Sequence, residues 1–302
     1  MELRVLRYFL AVAREGTISG AANFLRVTQP ALSRQLMDLE AELGKTLFIR
    51  GKRKITLTEE GMLLRKRAEE IIDLVEKTEA EVMASDEEIS GDIYFGGGES
   101  EGMRFLVKVM QQIQQDYPKI RYHIFSGNSY DVTERLDKGL IDFGTLFEPV
   151  ALGKYDHVRL PGADIWGVLT RKDTPLGGLD VIRPEHLRGI PLVCSKQMLN
   201  ENGLSGWLGY DCDKLKIVAT FNLINTPKLM VEEGIGSAIC FDRLVNITHD
   251  SNLCFRPLEP RLKAGMSLVW KKYQVFSKAS GTFLERVQAA LSNTTNASNG
   301  GS

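Results

Sequence analysis

Gln29, Ser33 and Arg34 stand on one side of a segment whose other side carries Leu32, Leu36, Leu39 and Leu43 at spacings of four, three and four. That spacing predicts a helix with one buried stripe, which leaves the polar residues, with Pro30 and Met37, on the exposed face. Their chemistry suits base edges: glutamine can pair with adenine, arginine with guanine, and serine with a base or a phosphate. Elsewhere the reactive side chains form no such constellation. In Gly96-Gly97-Gly98-Glu99 the third glycine of a dinucleotide loop would fall at Glu101. No Gly-x-Ser-x-Gly, paired catalytic carboxylates or His-Glu-x-x-His is present, so catalysis is not expected. The four cysteines (Cys194, Cys212, Cys240, Cys254) and four histidines (His123, His157, His186, His249) lack metal-site spacing. Cys194 and Cys240 lie in apolar, strand-like runs, where a thiol is inert core, and Cys212 sits between Asp211 and Asp213, which disfavour the thiolate.

The base-reading helix needs elements to position it. Leu3, Leu6, Leu10 and Ala13 predict a first helix ended by Gly16. Thr17 is a suitable cap for a second, with Ile18, Ala21, Ala22 and Leu25 on its apolar face. Arg26-Val27 make a tight connection, Thr28 caps the third helix, and Pro30 falls in its first turn, where no backbone donor is missed. This is the layout of a helix-turn-helix, although a plain helical bundle with a solvated polar face has the same periodicity. After Gly44, residues 46–50 and 54–58 read as two short strands around Gly51-Lys52-Arg53, a basic hairpin positioned to touch phosphates or the minor groove. Residues 1–58 hold ten Lys/Arg and five Asp/Glu, a charge of +5 in a chain whose net charge is −1. A basic head on an acidic body fits a polyanion met by the head alone.

Here the sequence resembles a known family. The run Leu6-x-Tyr8-Phe9-x-x-Val12-Ala13 is followed by Ala21-Ala22-x-x-Leu25-x-Val27-Thr28-Gln29-Pro30-Ala31-Leu32-Ser33-Arg34-Gln35. It continues through Leu39-Glu40-x-Glu42-Leu43-Gly44-x-x-Leu47-Phe48-x-Arg50-x-x-Arg53-x-Ile55-x-Leu57-Thr58-x-x-Gly61. Nearly all of the first sixty residues are thus similar to the LysR-type transcriptional regulators. The resemblance implies a winged helix-turn-helix in which Thr28, Gln29, Pro30, Ser33 and Arg34 meet DNA from the recognition helix, and Arg50, Lys52 and Arg53 from the wing.

Thr58 caps a further helix to about Ser85, roughly 40 Å long at about 1.5 Å per residue. Leu64, Ala68, Ile71, Val75, Thr78 and Val82 form a heptad seam on it. The seam packs either on its own chain or on a second copy, and two-fold dimerisation suits paired half-sites better. Residues 86–90 read as a polar hinge. From Gly91 strands and helices alternate, which predicts an α/β sheet with covering helices. This body is similar to the effector-binding half of the LysR type, two α/β lobes resembling periplasmic binding proteins. The expected organisation is therefore a multi-domain chain: winged helix-turn-helix (1–58), dimerising linker helix (59–85), hinge (86–90), effector-binding domain (91–292) and disordered tail (293–302). Lobe I would take about 91–162 and 266–292, and lobe II about 163–265.

Ligands favour crevices at the carboxyl ends of strands and at helix starts. That rule points to Gly98, Ser100, Ser126, Asn128, Phe147, Ser195 and Thr226 as effector contacts, although each taken singly fits better as a loop cap with no ligand role. Glu99 is an acidic intrusion among them that disfavours a simple carboxylate effector there. No cofactor is expected beyond a small-molecule effector. Expected partners are a double-stranded DNA operator and further copies of the chain, a dimer through the linker helix and by resemblance a tetramer, with RNA polymerase a further candidate. No stretch approaches the about 20 apolar residues that cross a bilayer, and Met1-Glu2-Leu3-Arg4 does not begin a signal peptide, so a cytoplasmic protein is expected, and the resemblance implies a bacterial regulator. Two rivals remain: an α/β enzyme carrying a DNA-binding head, and a constitutive DNA-binding protein whose body only oligomerises.

Overall fold

In a computed structural model of the chain the described residues are 1–51, 54–83, 88–148, 153–200 and 203–299, and they fall into two compact units, Met1–Met83 and Ala84–Ser302.

The first unit begins with α1 (Leu3–Glu15), ended by Gly16 at a left-handed φ of 67°. Helix α2 (Ile18–Leu25) starts at Thr17, whose hydroxyl accepts a hydrogen bond from Gly20 N at 3.1 Å. The α2–α3 turn is held by Val27 N donating to Ala22 O at 3.0 Å, and it puts Arg26 at a φ of 57°, a conformation cheapest for glycine. Helix α3 (Gln29–Leu43) ends at Gly44. Leu32, Leu36 and Leu39 are buried as expected, while Leu43 lies past the core and is exposed. In α1 the buried face is Val5, Leu6, Phe9 and Val12, a rotation of the stripe read from Leu3, Leu6, Leu10 and Ala13. The cause is tertiary: the Phe9 ring meets the Phe48 ring at 5.1 Å, and that face buries more apolar surface.

Phe48 opens β1 (Phe48–Arg50), which pairs antiparallel with β2 (Ile55–Leu57), and Gly51 N donates to Lys54 O at 3.0 Å in the turn. Ile55 N donates to Gly16 O at 2.7 Å, so the hairpin is tied to the end of α1. The Glu40 carboxylate accepts from Leu47 N at 2.6 Å and Phe48 N at 3.2 Å, fixing the strand to α3. Helix α4 (Glu59–Met83) is capped by Thr58, whose Oγ1 accepts from Gly61 N at 3.0 Å and donates to Thr46 O at 2.8 Å. A Cβ at Gly61 would stand 2.2 Å from the Leu47 carbonyl oxygen, so only glycine allows this approach. Ala68 and Ile72 are buried in the head's core, with Leu64 and Ile71 packed against it. The first half of the heptad seam is thus covered by its own chain, the alternative that the repeat alone left open.

The second unit holds two sheets. The first has the strands β3 (Gly91–Gly97), β4 (Ile120–Ser126), β5 (Phe143–Phe147) and β6 (Tyr155–Arg159), with β13 (Met266–Lys271) returning late in the chain. Its order is β4-β3-β5-β13-β6, parallel at β4-β3-β5 and antiparallel around β13. It carries α5 (Met103–Asp116), whose Leu106, Val109, Met110 and Ile113 face the core, and α6 (Ser129–Asp137). The second sheet begins with β7 (Asp164–Arg171) and β8 (Pro191–Ser195), then α7 (Lys196–Asn200), α8 (Gly203–Leu208), β9 (Lys216–Phe221), α9 (Asn225–Glu232) and β10 (Ser237–Phe241). It finishes with β11 (Leu253–Pro257) and the short β12 (Lys263–Ala264), in the order β11-β7-β10-β8-β9 with β12 on β7. All of β10 is buried, the run expected of an interior strand covered on both faces.

The chain then returns through β13 (Met266–Lys271) to α10 (Lys278–Asn299), which places Ala279, Phe283 and Val287 in the first sheet's core. The expected disorder from residue 293 is corrected: the helix continues to Asn299, and residues 300–302 lie outside the described ones. Extending a helix already nucleated by packing is cheap, and its hydroxyls bond the preceding turn, Ser292 to Gln288 O at 3.0 Å and Thr294 to Ala290 O at 2.9 Å. Of the polar hinge, Asp86 and Glu87 lie outside the described residues, while Ile89 packs on the first sheet's core. Strands β6, β11 and β12 are short segments with charged or polar residues, which give a weak alternation signal in the sequence.

Phe9→Ala should remove about 3–5 kcal/mol from the stability of the head, the usual cost of emptying a buried phenylalanine site. Urea unfolding followed by circular dichroism on the full chain checks this as an early transition absent from the parent.

Candidate nucleic-acid interface and ligand cleft

On α3 the burial of Leu32, Leu36 and Leu39 forces the opposite side outward. Gln29, Pro30 and Arg34 are exposed, with Met37 one turn on and Ser33 half-buried beside them. Thr28 is exposed at the N-cap and makes no capping hydrogen bond. Among the described residues no ion pair engages Arg34, so its guanidinium is unspent. In the wing the backbone of Arg50 belongs to β1. The Arg50 side chain, Lys52 and Arg53 lie outside the described residues.

In the second unit a cleft opens between the two sheets, holding about 1030 Å³ of space that is partly open to solvent. Strand ends build it. Gly98, Asn128 and Phe147 line it from the first sheet, and Ser195 from the end of β8, all anticipated. Asn128 is also a helix cap: its Oδ1 accepts from Tyr130 N at 2.9 Å and Asp131 N at 3.1 Å. The Phe147 ring lies 4.7 Å from that of Phe241, which in turn lies 4.0 Å from Trp166, a continuous aromatic wall shared by both sheets. Trp166, Phe241, Phe221 and Ile224 were missed, although Phe221 and Phe241 end strands of the second sheet and the strand-end rule would have found them.

Three expected contacts stand elsewhere. Ser126 ends an edge strand and is exposed, and Thr226 is exposed in the first turn of α9 because the preceding residues Phe221, Asn222 and Ile224 approach the cleft instead. Ser100 is a strut: its hydroxyl donates to Asp164 Oδ2 at the start of β7 and accepts from Gly102 N at 2.9 Å. Its neighbour Glu99 crosses as well, with Oε2 accepting from Ile224 N at 2.7 Å.

Burial pushes the Asp164 carboxyl above the usual carboxylate range; the Ser100 hydrogen bond opposes this and the charge of Asp242 adds to it. All four cysteines are free, and burial pushes the thiols of Cys194 and Cys240 up to about 12, which makes both inert. No group of three metal-ligating side chains occurs among the described residues, and no helix there is long and apolar enough to cross a membrane.

A winged helix-turn-helix followed by a two-lobed α/β ligand-binding domain defines a class of one-component transcriptional regulators. The chain matches the bacterial regulatory helix-turn-helix proteins of the lysR family over residues 3–62 and the LysR substrate binding domain over residues 86–292. It belongs to the LysR family: it is a LysR-type transcriptional regulator with a DNA-binding head and a substrate-binding domain, not an enzyme. It is 34% identical over 248 residues to the HTH-type transcriptional regulator BsdA of Bacillus subtilis, covering 79% of this chain and 83% of that protein. With the Hca operon transcriptional activator HcaR of Escherichia coli it shares 26% over 302 residues, covering 98% of this chain and all of that one (100%). Its fold is that of CbnR, a LysR family transcriptional regulator, with a TM-score of 0.74 at 20% identity over 96% of this chain and 99% of that chain. CbnR has also been solved full-length in complex with its target DNA, and that structure matches with a TM-score of 0.72 at 20% identity, covering 96% of this chain and 100% of that one.

In the range just above the ordinary aspartate pKa of about 3.9, native Asp164 keeps a proton that the unfolded chain has released. Its contribution is therefore lost as pH rises towards its raised native value. Asp164→Asn should flatten that fall, seen as a smaller drop in Tm than the parent's when melts are run upward from about pH 4.

Proposed function

We propose that the chain is a sequence-specific regulator of transcription whose grip on its operator is set by a small molecule held between the two lobes of its second unit. The observation that carries this reading is the cleft itself: apolar and aromatic walls from both sheets, with a few polar groups at strand ends, are the composition of a small-molecule site. Gln29, Pro30, Ser33 and Arg34 read base edges from α3, Thr28 sits at the helix start beside a phosphate, and Arg50, Lys52 and Arg53 of the wing hold the backbone. The known complex of CbnR with its target DNA supports this use of the head. Gly98, Asn128, Phe147 and Ser195 touch the effector, while Ser100 acts on it only through the lobes it ties. A ligand that favours one arrangement of the lobes shifts the population by no more than its differential affinity for the two.

The division read from the sequence serves this role: a head (1–58), a linker helix (59–85), a hinge (86–90) and an effector domain (91–292). Lobe I is 91–162 with 266–292, and lobe II is 163–265. The protein works in the bacterial cytoplasm as a homodimer through α4, two dimers forming a tetramer, and RNA polymerase is a further partner. The exposed Leu74, Val82 and Met83 on the later turns of α4 support the helix pairing.

Arg34→Ala should weaken binding to the preferred site by about 1–3 kcal/mol and relax base preference there, whereas Lys52→Ala should weaken all sequences evenly. Footprinting with and without candidate metabolites measures both, and a wild-type footprint from the Arg34 variant counts against the recognition face. Leu74→Lys with Val82→Lys should halve the assembly in sedimentation, since buried unpaired charge is costly, while leaving Ile71 and the head's core untouched. An unchanged mass rules out pairing through this face.

A further inference from the structure

The charge of the cleft selects its ligand. Glu99 follows β3 and is half-buried in the lining. Its Oε2 accepts from Ile224 N, immediately ahead of α9. A helix start is where an anionic ligand would find donors and a favourable dipole. Here the chain's own carboxylate has taken that donor, so a ligand carboxylate would meet a like charge and a used hydrogen bond.

The other charges in the lining do not reverse this. Glu148 is compensated by Arg159, whose Nη2 lies 3.0 Å from its Oε2, and its Oε1 accepts from the Ser267 hydroxyl at 3.3 Å. Lys263 is exposed, so water and salt screen its charge. Among the described residues no ion pair engages Glu99, which leaves it the one carboxylate of a mainly apolar lining without a cationic side chain bound to it. Beside it stands the aromatic wall of Phe147, Phe241 and Trp166, whose ring faces attract a cation.

We propose that the effector is an organic cation, an ammonium group on an apolar or aromatic body, with Glu99 as its counter-ion and the aromatic wall around its body. This rests on the reading of the cleft as the effector site. Glu99 does two things at once: one oxygen ties the lobes through Ile224, and the other faces the ammonium. A bound cation thereby strengthens the tie, because it offsets the carboxylate charge held between the lobes.

The test uses the full-length protein and two series of matched skeletons, phenethylamine against 3-phenylpropionate and butylamine against valerate, by calorimetric titration and tryptophan fluorescence. Glu99→Gln keeps an acceptor for Ile224 N and removes only the charge, and circular dichroism confirms its fold. Gly98→Leu fills the cleft, since a Cβ there already lies 3.1 Å from the Phe147 ring. The expected result is amine binding to the parent that weakens roughly tenfold or more in Glu99→Gln and vanishes in Gly98→Leu, the carboxylates not binding the parent. Carboxylate binding that Gly98→Leu blocks overturns the cationic class and leaves the cleft as the effector site. Amine binding indifferent to Glu99→Gln, or no binding in either series up to about 10 mM, a Kd worth under about 3 kcal/mol, overturns the proposal outright. Binding indifferent to Gly98→Leu overturns the reading of the cleft itself.

Discussion

The second unit depends on two neighbouring residues that span its lobes. Glu99 holds Ile224 N and Ser100 holds Asp164, so a single loop after β3 clasps the start of α9 and the start of β7. Both bonds join a polar side chain in one lobe to a partner in the other, and both are partly buried. Their geometry sets the width of the cleft, and with it the meeting of the Phe147 and Phe241 rings. A hydrogen bond to a charged acceptor in such surroundings is worth more than a neutral one, and losing one partner leaves the other stranded. The tie is stabilising only while both lobes keep their arrangement.

The head obeys a different constraint, close approach of backbones. Gly61 lets the first turn of α4 lie against the Leu47 carbonyl, Gly16 accepts from Ile55, and Glu40 grips the chain entering β1. The recognition helix, the wing and the linker helix are thereby one body. This is the support a base-reading surface needs, because contacts to base edges discriminate only when their donors are fixed in place.

Much of this was legible in the residues. Thr17, Gly16, Gly44 and Thr58 mark helix ends through chemistry local to the backbone, and strands such as β9 and β10 declare themselves by β-branched and aromatic runs. The α1 face was read one position off because two overlapping stripes satisfy the same period, and only the ring of Phe48, distant in sequence, decides between them. The cleft was half legible for a related reason. Strand ends can be found along a chain, but whether a hydroxyl there points into the crevice, as at Ser195, or to water, as at Ser126 and Thr226, follows from the sheet order. Aromatic residues such as Trp166 read as core, and it takes the second lobe to make them a wall.

The path of the chain between the lobes has a mechanical consequence. It crosses outward between β6 and β7 and returns through Gly265 between β12 and β13, and the two crossings bond to each other, Leu160 N to Met266 O at 2.8 Å and Lys263 opposite Ile165. Two strands laid edge to edge make a ribbon, stiff within its plane and compliant across it. Such a joint suppresses sliding and leaves the lobes chiefly one angle to explore, like a book on its spine. A ligand seated in the cleft would therefore meet lobes that yield chiefly along that one angle, so its fit is a matter of how far the book is open.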